Sequence, residues 1–159
     1  LFANDIASAR FFDDLSTTKH YLPWKGVTEQ TTIYQEEGAI LMPFDGRVKS
    51  ISVKTSSVTA DGDITMVVHT IPTGSVIFAT SLWTEEETET LSATATDDYH
   101  TFHFVFSNAQ HFEAGDTVAI SIQNSVDITG NGYWHCTAVV EFDTTNNLGT
   151  SSTEHDTNP

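Results

Sequence analysis

Basic residues are scarce in this 159-residue chain and absent from most of it. The six are Arg10, Lys19, Lys25, Arg47, Lys49 and Lys54, set against 22 acidic residues for a net charge of −16. Residues 1–54 carry 7 acids and 6 bases, whereas residues 55–159 carry 15 acids and no base. Such a surface repels polyanions and leaves counterion release with few cations to work with, which excludes a nucleic-acid binder. Self-repulsion of this size is tolerated best where salt shortens the screening length below ~8 Å, so a saline habitat is expected.

Cysteine is nearly absent too. Cys136 alone excludes an internal disulfide. No apolar run approaches the ~20 residues needed to cross a bilayer, so the chain reads as water-soluble, with no membrane insertion. It opens on Leu1 without a charged, apolar, small-residue leader, which reads as a processing site or the edge of an excerpt. Catalytic signatures are missing as well: there is no Gly-x-Ser-x-Gly, no phosphate-cradling loop and no zinc spacing. His100 and His103, three apart on a strand, point to opposite faces and share no metal. Asp61-Gly62-Asp63 lacks the further oxygen ligands of a calcium loop. The run Glu85, Glu86, Glu87, Glu89 gives no pair of carboxylates in separated environments and reads as a solvated edge. Cys136 lies on an apolar face, where thiols are inert. The expectation is a non-enzymatic protein with no cofactor and no metal.

What is present is β-forming. Threonine supplies 25 of the 159 residues, and short apolar alternations recur about every ten positions. In "WHCTAVVEFD" Trp134, Cys136, Ala138, Val140 and Phe142 share one face, with only Val139 out of pattern. "TFHFVF" aligns Phe102, Phe104 and Phe106, and "DTVAISIQ" aligns Val118, Ile120 and Ile122. Further strands are expected over 31–35, 39–44, 47–55, 64–70, 76–83 and 87–95, with "ADGD" at 60–63 as a tight hairpin. Pro43 marks a strand end or sheet edge, Asp45-Gly46 a turn, and Val48, out of phase with Ile51 and Val53, a bulge. Eight or nine short strands without an amphipathic helix predict an all-β, antiparallel two-sheet sandwich of jelly-roll type. An immunoglobulin-like sandwich is disfavoured because its two-cysteine and tryptophan pattern is missing.

The expected organisation is an arm or linker over 1–20, a sandwich over 21–143 and a flexible tail over 144–159. The arm carries Phe2, Ile6, Phe11, Phe12 and Leu15 without a clean period. The tail has one large apolar residue. In "YLPWKG" Pro23 stiffens the entry and Gly26 permits a turn, so that Tyr21, Leu22 and Trp24 cover one end of the sandwich. Trp83, Tyr99 and Tyr133 fall near loops, where sugars stack on aromatic faces.

"YLPWKGVTEQ" (21–30), "MPFDGRVKSISVK" (42–54), "HFEAGDTVAISI" (111–122) and "AVVEFDT" (138–144) together resemble the sandwich domains of virion structural proteins of tailed, especially marine, bacteriophages. The resemblance implies a module that decorates a capsid exterior or heads a tail fibre, often as a trimer, at the virion surface and in contact with other virion proteins. The near-neutral first third then supplies assembly contacts, for which Phe2, Phe11, Phe12, Arg47, Lys49 and Lys54 are the candidates. Two other readings stand beside this one. A carbohydrate-binding jelly roll for a host surface glycan would present Trp83, Tyr99 and Tyr133 as an exposed strip. A small enzyme would need acids or histidines converging in a pocket, and nothing in the sequence brings them together.

Overall fold

Alternation builds the sheets. In the last strand, Gly132–Asp143, residues Trp134, Cys136, Ala138 and Val140 are buried while Tyr133, His135 and Thr137 are exposed, as a pleated strand with one face on a core requires. The computed structural model describes residues 1–13, 17–24, 27–33, 38–56, 58–127 and 132–145. These form nine strands: β1 (Phe2–Asp13), β2 (His20–Tyr21), β3 (Ala39–Leu41), β4 (Asp45–Thr55), β5 (Gly62–Ile71), β6 (Thr84–Ala93), β7 (His100–Val105), β8 (Thr117–Asn124) and β9 (Gly132–Asp143). One short 3-10 turn, Thr80–Leu82, joins them, and no α-helix occurs among the described residues.

Two antiparallel sheets result. The first runs β1-β9-β4-β7 and the second β2-β8-β5-β6, with β3 also on β8. Chain neighbours such as β4 and β5 fall in different sheets, so the chain crosses from sheet to sheet as it does in a jelly roll. Between the sheets lie Val48, Ile51, Ile64, Met66, Phe104, Phe112, Ile120, Ile122 and Trp134, all essentially buried. A polar pin also crosses this gap. The Val48 N–H of β4 donates to His111 Nδ1 at 3.0 Å, so the imidazole proton sits on Nε2, which donates to Glu87 Oε2 of β6 at 2.7 Å. The Ser107 N–H (2.6 Å) and hydroxyl (2.8 Å) complete the bonds to that carboxylate. Partial burial pushes the Glu87 pKa up, but these donors outweigh it and hold the group below the usual range.

Several expectations change at this point. Residues 2–13 are not an arm: Phe2–Asp13 pairs with β9 along its whole length, and the sandwich starts at Phe2. Its period was hidden because the inward face carries small Ala7 and Ala9 beside a single large residue, Phe11, while Phe2, Ile6 and Phe12 point out. Residues 76–83 are not a strand either. Both sides of β5 are taken by β6 and β8, and the segment instead coils through successive turns, with Ala79 N–H to Val76 O and Leu82 N–H to Ala79 O both at 2.9 Å. "ADGD" is a crossover between sheets rather than a hairpin, since β4 and β5 do not pair. Residues 31–33 form bends and a turn, while 34–35 lie outside the described residues, as do Leu15, Lys25, Gly26 and the tail from 146 onward. The bulge is found, with register shifting between Val48 and Ser50.

Asp45-Gly46 does not turn the chain but begins β4. Gly46 is required there by crowding: a Cβ would stand 2.3 Å from the Glu141 carbonyl oxygen and 3.0 Å from the Phe112 ring. Gly46→Ala is therefore expected to lower unfolding stability by about 1–3 kcal/mol, read from the urea midpoint. An unaltered midpoint would contradict the packing.

The outer face of the second sheet holds a buried pair. His69 Nε2 and Ser121 Oγ are 2.8 Å apart and only 3% and 1% exposed, with the Tyr21 ring 5.5 Å from the imidazole. Burial first and the Lys19 ammonium second drive the His69 pKa from 6.5 down to about 4, against an opposing pull from Glu85. The folded state thus binds this proton more weakly than the unfolded chain. His69 favours folding above pH 6.5, and that advantage is lost as pH falls from there toward 4. Urea titrations at stepped pH should show His69→Gln declining less steeply across this window, by about 1.4 kcal/mol per pH unit. Coincident pH profiles for the two proteins would show that His69 does not carry the acid sensitivity.

Candidate functional site

Register across the first sheet assembles a polar face from strands far apart in sequence. Arg10 of β1 stands opposite His135 of β9, which stands opposite Lys54 of β4, which stands opposite Thr101 of β7. The next row reads Ser8, Thr137, Ser52 and His103. All eight side chains are exposed, because they occupy the alternate positions that point away from the core. Ser52 Oγ and His103 Nδ1 are hydrogen bonded at 2.9 Å. Six of these residues, Ser52, Lys54, Thr101, His103, His135 and Thr137, line a shallow depression of about 400 Å³.

Aromatic rings flank this face. Phe12 and Tyr133 are partners in register and pack with centroids 4.8 Å apart. The Arg10 guanidinium lies 5.4 Å from the centre of the Tyr133 ring, and Lys54 Nζ lies 4.7 Å from that of Tyr99. Both tyrosines remain open, at 47% for Tyr133 and 66% for Tyr99. The third aromatic expected beside them, Trp83, is elsewhere. It follows the Thr80–Leu82 turn, donates its indole N–H to Ile77 O at 3.0 Å, and leads into Thr84, which pairs with Thr70 at the far end of β5. Trp83 therefore anchors the β5–β6 connection at the opposite end of the sandwich, and the three rings form no strip.

The assembly candidates also divide. Phe2 and Phe12 are exposed on β1, but Phe11 is a core residue, stacked on Trp134 with centroids 6.3 Å apart. Arg47 is engaged within the chain: Nε donates to Glu141 Oε1 at 2.9 Å and NH1 to the Ser107 carbonyl at 2.7 Å. Lys49 Nζ lies 3.5 Å from the same carboxylate. The Arg47 hydrogen bond, with the charges of Arg47 and Lys49, holds Glu141 below the usual carboxylate range. Lys19 is spent similarly on Glu85, at 2.7 Å. Arg10 and Lys54 differ, having an aromatic partner and no ion pair among the described residues.

Reactive chemistry finds little purchase. Burial pushes the Cys136 thiol up to about 12, leaving it protonated and inert at neutral pH. Ser121, beside His69, is sealed from solvent. Among the described residues, no three His, Cys, Asp or Glu side chains converge to hold a metal.

One apolar groove of about 370 Å³ runs beside the open edge of β1, lined by Ile6, Ala7, Trp24, Leu41, Met42 and Phe142 among others. The Trp24 indole nitrogen is buried and has no acceptor among the described residues. Tyr99, Tyr133, Phe2, Phe12 and Lys54 are legible as candidates in the sequence, whereas the row that joins Arg10, His135 and Thr101 to Lys54, and His103 in the row beside it, are not. The outward position of His135 and Thr137 was visible in the alternation, whereas their neighbours depend on cross-strand register.

No family model and no curated protein sequence matches the chain. Among solved structures it is similar to a chain of the disulfide-linked pili of Bacillus endospore appendages, at 13% identity over 89% of this chain and 87% of that one, with a TM-score of 0.37. A family 29 carbohydrate-binding module from Piromyces equi is similar at 9% identity, covering 89% and 91%, with a TM-score of 0.39. A chain of turnip yellow mosaic virus is similar at 11% identity, covering 96% and 99%, with a TM-score of 0.35. At these values the likenesses carry no function to this chain, whose all-β, two-sheet architecture stands on its own strand order.

Proposed function

We propose that this chain is a non-enzymatic structural module of a particle exterior, of the capsid-decoration or tail-fibre-head kind in a tailed bacteriophage, acting through protein–protein contacts as a homo-oligomer. The observation that carries the reading is the edge of β1. Among the described residues, the twelve of β1 are paired on one side only, by β9. Their outward face carries Phe2, Ile6 and Phe12 at 67%, 65% and 51% exposure. A long sheet edge without proline or lysine is a template for pairing with another chain. The apolar groove beside it widens the contact.

Charge supports the same surface. In a chain of net −16, β1 holds Asp5, Arg10 and Asp13 and is close to neutral, so two copies meet there with the least repulsion. The acidic β6 edge, with Glu85, Glu86, Glu87 and Glu89, keeps copies from pairing on the other side. A closed ring in which each copy's β1 contacts the next covers that edge in every subunit, and three subunits is the number the virion resemblance implies.

Light scattering with size exclusion tests this. The wild-type chain should be oligomeric, and Ile6→Lys should shift it to monomer with a urea midpoint within about 0.5 kcal/mol of wild type, since the site is exposed. Thr88→Lys on β6 should leave the oligomer intact. A wild-type chain that stays monomeric as concentration rises would overturn the proposal.

A further inference from the structure

The face built from Arg10, His135, Lys54 and Thr101 is not needed for pairing at the β1 edge, and its chemistry has a different direction. We propose that this face binds an anionic polysaccharide, a chain of sugar rings carrying carboxylates or sulfates.

The argument begins with the two cations. Elsewhere this acid-rich chain pairs its described basic residues with carboxylates: Lys19 with Glu85, and Arg47 and Lys49 with Glu141. Arg10 and Lys54 are instead held against Tyr133 and Tyr99, at 5.4 and 4.7 Å from the ring centres. A ring face fixes the position of a cation without cancelling its charge, so both remain able to meet an incoming anion. Their strands lie on either side of β9, which sets their backbones about 10 Å apart, the order of a disaccharide's length.

The ground around them suits sugar hydroxyls. Ser52, Thr101 and Thr137 offer hydroxyls that both donate and accept, and His103 and His135 offer ring nitrogens. Tyr133 and Tyr99 stand at the margins with ring surface exposed, where the apolar faces of sugar rings pack. This exposed, shallow depression admits an extended chain. A nucleic acid is the poorer occupant: two unpaired cations cannot neutralise a duplex with one charge per ~1.7 Å against a net charge of −16. A neutral glycan would leave both cations unused.

Calorimetric titration with oligogalacturonate and with a cello-oligosaccharide of equal length tests the assignment. Oligogalacturonate should bind, more weakly as salt rises, and the neutral sugar about ten-fold less tightly. Arg10→Gln and Lys54→Gln should each weaken binding about five-fold, and Tyr133→Ala comparably, with urea midpoints close to wild type. Ile6→Lys should leave the affinity unchanged, which separates this site from the assembly edge. Equal affinity for the two sugars, no saturable binding of either, affinity unmoved by the Arg10 and Lys54 variants, or equally tight binding of a single-stranded oligonucleotide would each overturn the proposal.

Discussion

Strand β9 holds the first sheet together because both of its sides are taken, by β1 over Phe2–Asp13 and by β4 over Asp45–Thr55. Its inward residues Trp134, Cys136, Ala138 and Val140 fill the core at the same time. Everything else about this side of the molecule follows from that central place. Being central, β9 hides its backbone, and among the described residues β1 is left as an edge of this sheet. Its outward residues Tyr133, His135 and Thr137 become the middle column of an open face flanked by cations from both neighbours. An edge for protein contacts and a face for a ligand are thus two consequences of one strand's position.

Electrostatics then sorts these surfaces. With 22 acids against 6 bases, three of the five described cations, Lys19, Arg47 and Lys49, are consumed by local carboxylates. Arg47 links β4 to Glu141 of β9 and to the Ser107 carbonyl, close to where Glu87 and His111 join the two sheets. These charged contacts lock the end of the sandwich near Asp45 and Asp143. The opposite end, near Thr55 and Gly132, carries the two cations held on aromatic rings instead.

Much of the fold was legible because period-2 alternation is a local property. Phe102, Phe104 and Phe106 announced their face, and so did the residues of β8 and β9; Val48, out of phase, announced its bulge. Alternation does not say which sheet a strand joins, so "ADGD" looked like a hairpin although it spans two sheets. It also weakens where the buried face is small, and Ala7 and Ala9 made β1 look like a loose arm. Phe11 was grouped with Phe2 and Phe12 for assembly because a phenylalanine's side of a strand is visible only once the strand itself is recognised. The candidate face was legible in part. Tyr99, Tyr133 and Lys54 could be singled out one by one, but the row from Arg10 to Thr101 exists only through pairings between distant segments. Trp83 shows the converse, since its nearness to an acidic run said nothing about which end of the sandwich it would occupy.

Hydrogen exchange of the β1 backbone, followed as protein concentration rises, tests the central claim most directly. If β1 is the assembly edge, its amides that point away from β9 become protected as copies associate, while those of the β6 edge keep their exchange rates. Exchange along β1 that does not change with concentration would contradict the account.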